Sequence, residues 1–277
     1  MKAMILAAGL GTRLRPLTDT RPKALVEING RTLLEITLTR LRPFGVTEVI
    51  INVHHFADMV VQYLKSKNNF GMRIEISRED DQLLDTGGGL KKASWFFLED
   101  SARPDSTNSG EPFLLHNVDV ISTIDLAAML QFHKENHALA TLAVRSRDSS
   151  RQLLFNDQLQ LSGRGVAGKD TVISSEARNL SSPSTDARGP HSPLATRHSP
   201  LLLPLAFSGI HILSPRLLPM LTETGPFSII DSYLRLSTQG QKILAFRHDH
   251  SYWRDLGKPA DLAQAALDLQ STTPPQT

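Results

Sequence analysis

The chain contains no cysteine. Disulfides, thiolate zinc sites, iron–sulfur clusters and cysteine nucleophiles are therefore excluded. No apolar run reaches the roughly 20 residues that a membrane helix needs. Neither sign of charge dominates, since 30 Lys+Arg face 28 Asp+Glu and leave +2. A dedicated binder of nucleic acid or of an anionic membrane needs a basic excess for its phosphate contacts, so neither partner is expected. The opening MKAMILAAGLGTRLRP lacks the h-region of a signal peptide and runs straight into glycines and arginines. A soluble, cytoplasmic protein is the expectation. No internal repeat occurs, and no hexapeptide β-helix repeat follows residue 260.

What is present is ordinary globular material. Over 277 residues, 40% are hydrophobic and 21% charged, enough for one large domain or two small ones. Lys2–Ala7 is a compact apolar run closed by Gly9 and Gly11, as a strand buried on both faces would be. Leu34, Ile36, Leu38 and Leu41 predict a helix over Leu33–Arg42, stopped by Gly45. Val46–Val53 reads as a strand, Ala57–Lys67 as a helix and Met72–Ser77 as an alternating strand. This β–α–β–α–β order implies a parallel sheet with right-handed crossovers. Further on, Leu90–Phe97, Leu126–Asn136, Ser228–Thr238 and Pro259–Leu269 read as helices. Pro112–Val120, Ala138–Val144 and a segment within Leu202–Leu213 read as strands. Lys169–Pro200 is rich in Ser, Thr and Pro and poor in large apolar residues, so it is expected to be a disordered insertion.

The loop Gly9-Leu10-Gly11-Thr12-Arg13-Leu14 leaves the first strand. Glycines let a backbone approach phosphate, and loop N–H groups form an anion nest. It fails the dinucleotide fingerprint G-x-G-x-x-G because position 14 is Leu, which counts against a dinucleotide-dependent oxidoreductase. It also lacks the Gly-Lys-Ser/Thr ending of a Walker A loop. Gly163 to Lys169 nearly spells that motif, but Asp170 follows, and the stretch runs into the expected insertion rather than a predicted helix. More telling is the set Arg13, Arg15, Pro16, Thr18, Pro22 and Lys23 just after the glycines. An Arg and a Lys held beside such a loop clamp a polyphosphate, whereas isolated they would be solvated loop charges. The adjacent His54 and His55 point to opposite faces and do not share a metal easily. His248 and His250 lack a third ligand.

The run Leu6-Ala7-Ala8-Gly9-Leu10-Gly11-Thr12-Arg13-Leu14-Arg15-Pro16-Leu17-Thr18, followed by Pro22-Lys23, resembles the signature of the sugar-1-phosphate nucleotidyltransferases, also called nucleoside-diphosphate-sugar pyrophosphorylases. The resemblance continues through Leu84–Gly89, Asn117-Val118-Asp119, Phe207-Ser208-Gly209 and Trp253–Gly257. It covers nearly the whole chain except the insertion. Chain length and the Leu84–Gly89 element look most similar to the N-acetylmuramate-1-phosphate uridylyltransferase and mannose-1-phosphate guanylyltransferase branch.

The resemblance implies a Rossmann-like, mixed but mostly parallel sheet with helices on both faces. It forms one domain over residues 1–277, with a nucleotide-binding half at 1–125, a sugar-phosphate half at 126–270 and the insertion at 169–200. It implies an Mg²⁺-dependent, in-line attack of a sugar 1-phosphate on the α-phosphate of a nucleoside triphosphate, by a monomer or homodimer. By the same likeness Arg13 and Lys23 are catalytic. Leu6, Ala7, Ala8, Gly9, Gly11, Thr12, Thr86, Gly87 and Gly88 meet the nucleotide, with Glu79 as a base-edge contact. Asn117, Ser208 and Gly209 meet the sugar, and Arg145 or Arg151 its phosphate, unless that basic stretch is merely solvated. Asp119 and Asp255 hold the metal; alternatively Asp119 caps a turn, and Asp255 pairs with Arg254 or caps the last helix. Two departures stand out. Val118 occupies the place of a customary glycine before Asp119, and the stretch Val144–Arg151 offers arginines where relatives carry a lysine. The same fold also serves catalytically silent sugar-nucleotide-binding regulators. Those usually lose one of Arg13, Lys23, Asp119 or Asp255, and all four are here.

Overall fold

The structure, a computed structural model, describes residues 1–98, 110–165 and 202–271. The expected insertion at 169–200 lies outside the described residues.

Among the described residues a nine-stranded sheet organises the fold. At its centre β1 (Lys2–Leu6) runs parallel to β4 (Glu48–Val53) on one side and to β6 (Phe113–Asn117) on the other. Strand β5 (Arg73–Arg78) extends the parallel part beyond β4. On the far side of β6 the long β11 (Leu203–Leu213) is antiparallel and also pairs with β8 (Ala140–Arg145) and β9 (Gln152–Phe155). β10 (Leu161–Gly165) and β12 (Ile243–Arg247) complete it. Successive side chains of β1 enter different cores: Ala3 and Ile5 pack on one face, Met4 on the other, all fully buried. A strand covered on both faces has no polar positions to spare, which is why its sequence is a continuous apolar run.

Helices cover both faces. α1 (Leu33–Leu41), α2 (Ala57–Ser66), α5 (Leu126–Glu135) and α7 (Pro259–Ser271) pack with Ile5. α3 (Asp85–Lys92), α4 (Trp95–Leu98) and α6 (Ile229–Thr238) pack with Met4. The start of α1 is set by Thr32, whose side chain accepts from the Glu35 N–H at 3.0 Å. Gly45 ends the turn after α1 at φ 76°. Removing Leu38, fully buried on α1, would cost about 2–5 kcal/mol as Leu→Ala.

Three sequence expectations change. The predicted strand Pro112–Val120 breaks at Val118-Asp119 into β6 and β7 (Val120–Ser122), with the Val118 N–H donating to Leu6 O at 3.1 Å. The predicted helix Leu90–Phe97 is two helices, and Gly87–Gly89 lie inside the first. Strands β9, β10 and β12 add to the expected set, as do two pairs of short strands: β2 (Glu27–Ile28) with β3 (Arg31–Thr32), and β7 with β13 (Trp253–Asp255).

Candidate active site

Leu6 pairs with Asn52 on one side and with Asn117 on the other. The carboxyl ends of β1, β4 and β6 therefore form one edge, the place where open α/β sheets bind ligands. A cleft of about 490 Å³ opens there, lined by Leu6, Ala7, Ala8, Gly9, Gly11, Thr12, Arg13, Lys23, Thr86, Asn117 and Asp119 among others. The two loop glycines differ in purpose. Gly11 sits at φ +65°, and a Cβ there would lie 2.9 Å from Thr18 Cγ2; the fold itself demands it. A Cβ on Gly9 would meet nothing within 4 Å, so that backbone is free to be approached from the cleft.

Lys23 follows Pro22 into a single 3₁₀ turn and is only 8% exposed. Its ammonium forms an ion pair with Asp119 Oδ2. Asp119 sits in the turn between β6 and β7. The ribbon of β7 and β13 sets Asp255 opposite Val120, and the Leu256 N–H donates to Asp119 O at 2.8 Å. The two carboxylates are thus neighbours. Burial, and next the charge of Asp119, push the Asp255 carboxyl above the usual carboxylate range, against the pull of Lys23 and Arg13. Asp255 Oδ1 is buried with no hydrogen-bond partner. Arg13 completes the group: a Cβ on Gly257 would fall 2.7 Å from its guanidinium carbon and 2.8 Å from Asp255 Oδ1.

A second cavity of about 880 Å³ shares Arg13, Asp85, Thr86 and Asn117 with the first. Gly209, at φ +77°, lies where the pairing of β11 with β8 slips, and a Cβ there would come within 2.9 Å of Asn117 Nδ2. Ser208 is fixed twice: its hydroxyl meets His248 Nε2 at 2.7 Å, and its carbonyl accepts from Trp253 Nε1 at 2.8 Å. The Arg147 guanidinium stacks over the Trp253 ring at 4.6 Å and donates to Phe207 O. Burial lowers the Arg147 pKa from its ordinary value, partly offset by Asp255.

Several expected site residues stand elsewhere. Glu79 is 1% exposed and does not line the cleft. Its carboxylate is occupied by the Asn52 side-chain amide and the Leu84 N–H, so it has no free edge for a base. Gly87 and Gly88 are buried against Phe227 and Gly225, and their N–H groups donate to Phe227 O. They permit close packing rather than ligand approach. Arg145 is not part of either lining; Arg147 and Arg151 line the second cavity, with Ser208 and Gly209. Arg254 pairs with Asp268 on α7, leaving Asp255 to the larger cavity. Sequence reasoning missed Asn52, Asp85, Arg147 and Gly257, all of which line the cavities. Asn52 had a signal, being the only polar side chain in the apolar run Val49–Val53.

Two carboxylates side by side, one with an orphaned buried oxygen, suit a hard divalent cation that takes its remaining ligands from phosphate and water. No cluster of three or more His, Asp or Glu able to hold a metal alone occurs among the described residues.

The nucleotidyl transferase family model matches residues 2–152. An N-acetylmuramate alpha-1-phosphate uridylyltransferase of Caulobacter vibrioides is 30% identical over 273 residues, covering 95% of each chain. A probable mannose-1-phosphate guanylyltransferase of Oryza sativa is 36% identical over 149 residues, which span 53% of this chain and 39% of that longer protein. Among solved structures, a putative glucose-1-phosphate thymidylyltransferase of Bacillus anthracis superposes with TM-score 0.72 at 16% identity, over 100% of this chain and 98% of that one. The likeness to solved structures carries the fold, and the sequence matches carry the kinship. The chain belongs to the nucleotidyl transferase family, among the sugar-1-phosphate nucleotidyltransferases.

Proposed function

We propose that the protein joins a nucleoside triphosphate to a sugar 1-phosphate, the triphosphate in the smaller cleft and the sugar phosphate in the larger cavity. The observation that carries this reading is the meeting of Arg13, Lys23, Asp119 and Asp255 where the two cavities join. A phosphate oxygen of the sugar 1-phosphate attacks the α-phosphorus. The bond from that phosphorus to the α,β-bridging oxygen breaks, and pyrophosphate leaves with the electron pair. Such a transfer needs alignment and charge neutralisation rather than a protein nucleophile, which agrees with the absence of cysteine.

Each group has a place in that scheme. The loop from Ala8 to Gly11 offers backbone N–H groups to the triphosphate, while the Ala7 N–H is held by Asn52 Oδ1. Arg13 stabilises the β- and γ-phosphates and the departing pyrophosphate. Lys23, held by Asp119, faces the α-phosphate and the incoming phosphate oxygen. Asp119 and Asp255 would hold Mg²⁺, which when bound offsets the charge of the phosphate oxygens. Arg147, rather than Arg145, serves the sugar phosphate, because it shares a wall with Asp255. Gly209 and Asn117 form the floor under the sugar.

The relative matched over 95% of its length acts on N-acetylmuramate α-1-phosphate by name. That supports UTP and this sugar phosphate as the first pair to try. The test is pyrophosphate release with Mg²⁺ across UTP, GTP, CTP and dTTP against a panel of sugar 1-phosphates. One matched pair that is active in the wild type and inactive in Asp119→Asn is expected. Nucleotide binding with no turnover on any pair would favour a silent regulator instead.

A further inference from the structure

A buried polar chain runs along the wall of the nucleotide cleft, where Asn52 is one of the lining residues. The Ala7 N–H donates to Asn52 Oδ1 at 2.8 Å. Asn52 Nδ2 donates to Glu79 Oε1 at 2.7 Å. Glu79 Oε2 accepts from the Leu84 N–H at 2.8 Å. Asn52 is 3% exposed and Glu79 1%, so water cannot replace a lost partner cheaply. Every donor has one acceptor, and every acceptor oxygen of the chain is taken.

The ends of this chain are the two walls of the cleft. Ala7 begins the loop off β1, and Leu84 directly precedes Asp85 and Thr86, which begin α3 and line the same cleft. A second observation is independent of the hydrogen bonds. A Cβ on Gly89 would lie 2.8 Å from Asn52 Nδ2 and 2.8 Å from Glu79 Oε1. The backbone of α3 therefore presses directly on the middle of the relay. The base of the chain is also pinned, because the Glu79 N–H donates to Val53 O at 2.8 Å and His54 Nδ1 lies 2.5 Å from Glu79 O.

We propose that Asn52 and Glu79 are positioning residues, which couple the β1 loop to the start of α3 and so set the affinity for the nucleoside triphosphate without touching the sugar phosphate. This rests on the reading that the smaller cleft takes the nucleotide. Neither residue acts on the reacting atoms. Asn52 acts through the Ala7 backbone, and Glu79 acts through Asn52 and Leu84.

The polarity of the relay makes it testable. In Glu79→Gln the single side-chain oxygen must serve Leu84. The new NH₂ then faces Asn52, which has to flip to accept it, and its own NH₂ turns on the Ala7 N–H. In Asn52→Asp two carboxylates face each other where a hydrogen bond stood. Combining the two substitutions repairs both faults. The new carboxylate on β4 accepts from the Ala7 N–H and from the new amide, and the oxygen of that amide accepts from the Leu84 N–H. The buried charge has moved one residue along the chain, and all three hydrogen bonds remain.

The experiment is steady-state kinetics on the full-length wild type, Glu79→Gln, Asn52→Asp, the double variant and Gly89→Ala, with thermal melts on each. Wild-type turnover comes first, and its absence would defeat the functional reading and not the relay, which is then read by calorimetric titration with the triphosphate. Each single variant should raise KM or Kd for the triphosphate about tenfold, as losing a charge-assisted hydrogen bond does, with KM for the sugar phosphate unchanged. The double variant should return to within about threefold of the wild type. Gly89→Ala, which alters no hydrogen-bonding group, should raise the same constant. If a single variant does not fold, a folded double variant with near wild-type nucleotide affinity supports the relay by itself. A double variant as poor as the sum of its parts, one that does not fold, or single variants that shift both substrates alike would overturn it.

Discussion

Arg254 reaches from β13 to α7 and holds Asp268, with Nη2 to Oδ2 at 2.9 Å and Nε at 3.1 Å. Tyr252, two residues earlier on the chain, donates to the same carboxylate oxygen at 2.8 Å. Together they brace the short strand that ends in Asp255. Two-stranded ribbons are weakly held on their own, and this brace supplies what β7 cannot. Asp268→Ala should lower stability only slightly, because the pair is partly exposed. Its larger effect should be on turnover, through a looser Asp255. Chemical denaturation and kcat measured together test this; a turnover no more affected than by any surface substitution on α7 would show that the brace does nothing for Asp255.

Asp255 carries an unfavourable charge in the ligand-free protein. Its carboxyl is pushed up by burial and by Asp119, and its Oδ1 has no partner. Asp255→Asn should therefore melt higher than the wild type without ligands and still lack activity. Mg²⁺ with nucleotide should reverse the order of melting temperatures, since only the wild type gains the cation's binding energy. Thermal melts of both proteins, with and without ligands, measure it. A variant that melts lower in both conditions would mean that Asp255 is a structural residue.

Gly257 has no positive φ to explain it; its surroundings do. Any Cβ there meets the Arg13 guanidinium and Asp255 Oδ1. Gly257→Ala should lower kcat/KM by about tenfold or more, the scale expected when a charged group beside the reacting phosphates is misplaced, while the melting temperature changes little. Equal kcat/KM in variant and wild type would show that Arg13 works from another position.

Among the described residues, four histidines are buried in the neutral form. Burial lowers His116, His133 and His248 to about 4 and His211 to about 3. Unfolded, each titrates near about 6.5. Between those values the unfolded chain binds more protons than the folded one, so stability falls as pH drops through that window and is complete above it. Each such histidine adds about 1.4 kcal/mol per pH unit to the slope. Urea midpoints from pH 7.5 to pH 5 should decline steadily, and His133→Asn should decline less steeply. A midpoint flat across that range would contradict the burial.

The parts of the fold visible in the sequence are those with one dominant physical cause. β1 and β4 are buried on both faces, so their apolar runs stand out. Gly45 and Gly11 sit at positive φ, where the residue type states the backbone need. The short strands β2, β3 and β13 carry too few residues for any period to show. Side-chain direction is the harder limit. Arg145 and Arg147 are alike as text, and only the end of β8 at Arg145 decides that the latter faces the cavity. Gly87 and Gly88 look like ligand glycines because the segment that fills the space above them, at Gly225 and Phe227, lies far along the chain. Glu79 stands out for its charge, yet its partners come from β4 and from the start of α3.

The most direct test of the central claim is phosphorus NMR of the protein with Mg²⁺, a nucleoside triphosphate and a sugar 1-phosphate, beginning with UTP and N-acetylmuramate 1-phosphate. Transfer at the junction of the two cavities predicts pyrophosphate and a diphosphate sugar in equal amounts, with neither product from Asp119→Asn or from a chelator-treated sample. Free inorganic phosphate or nucleoside monophosphate as the product, or activity that survives Asp119→Asn, would contradict it.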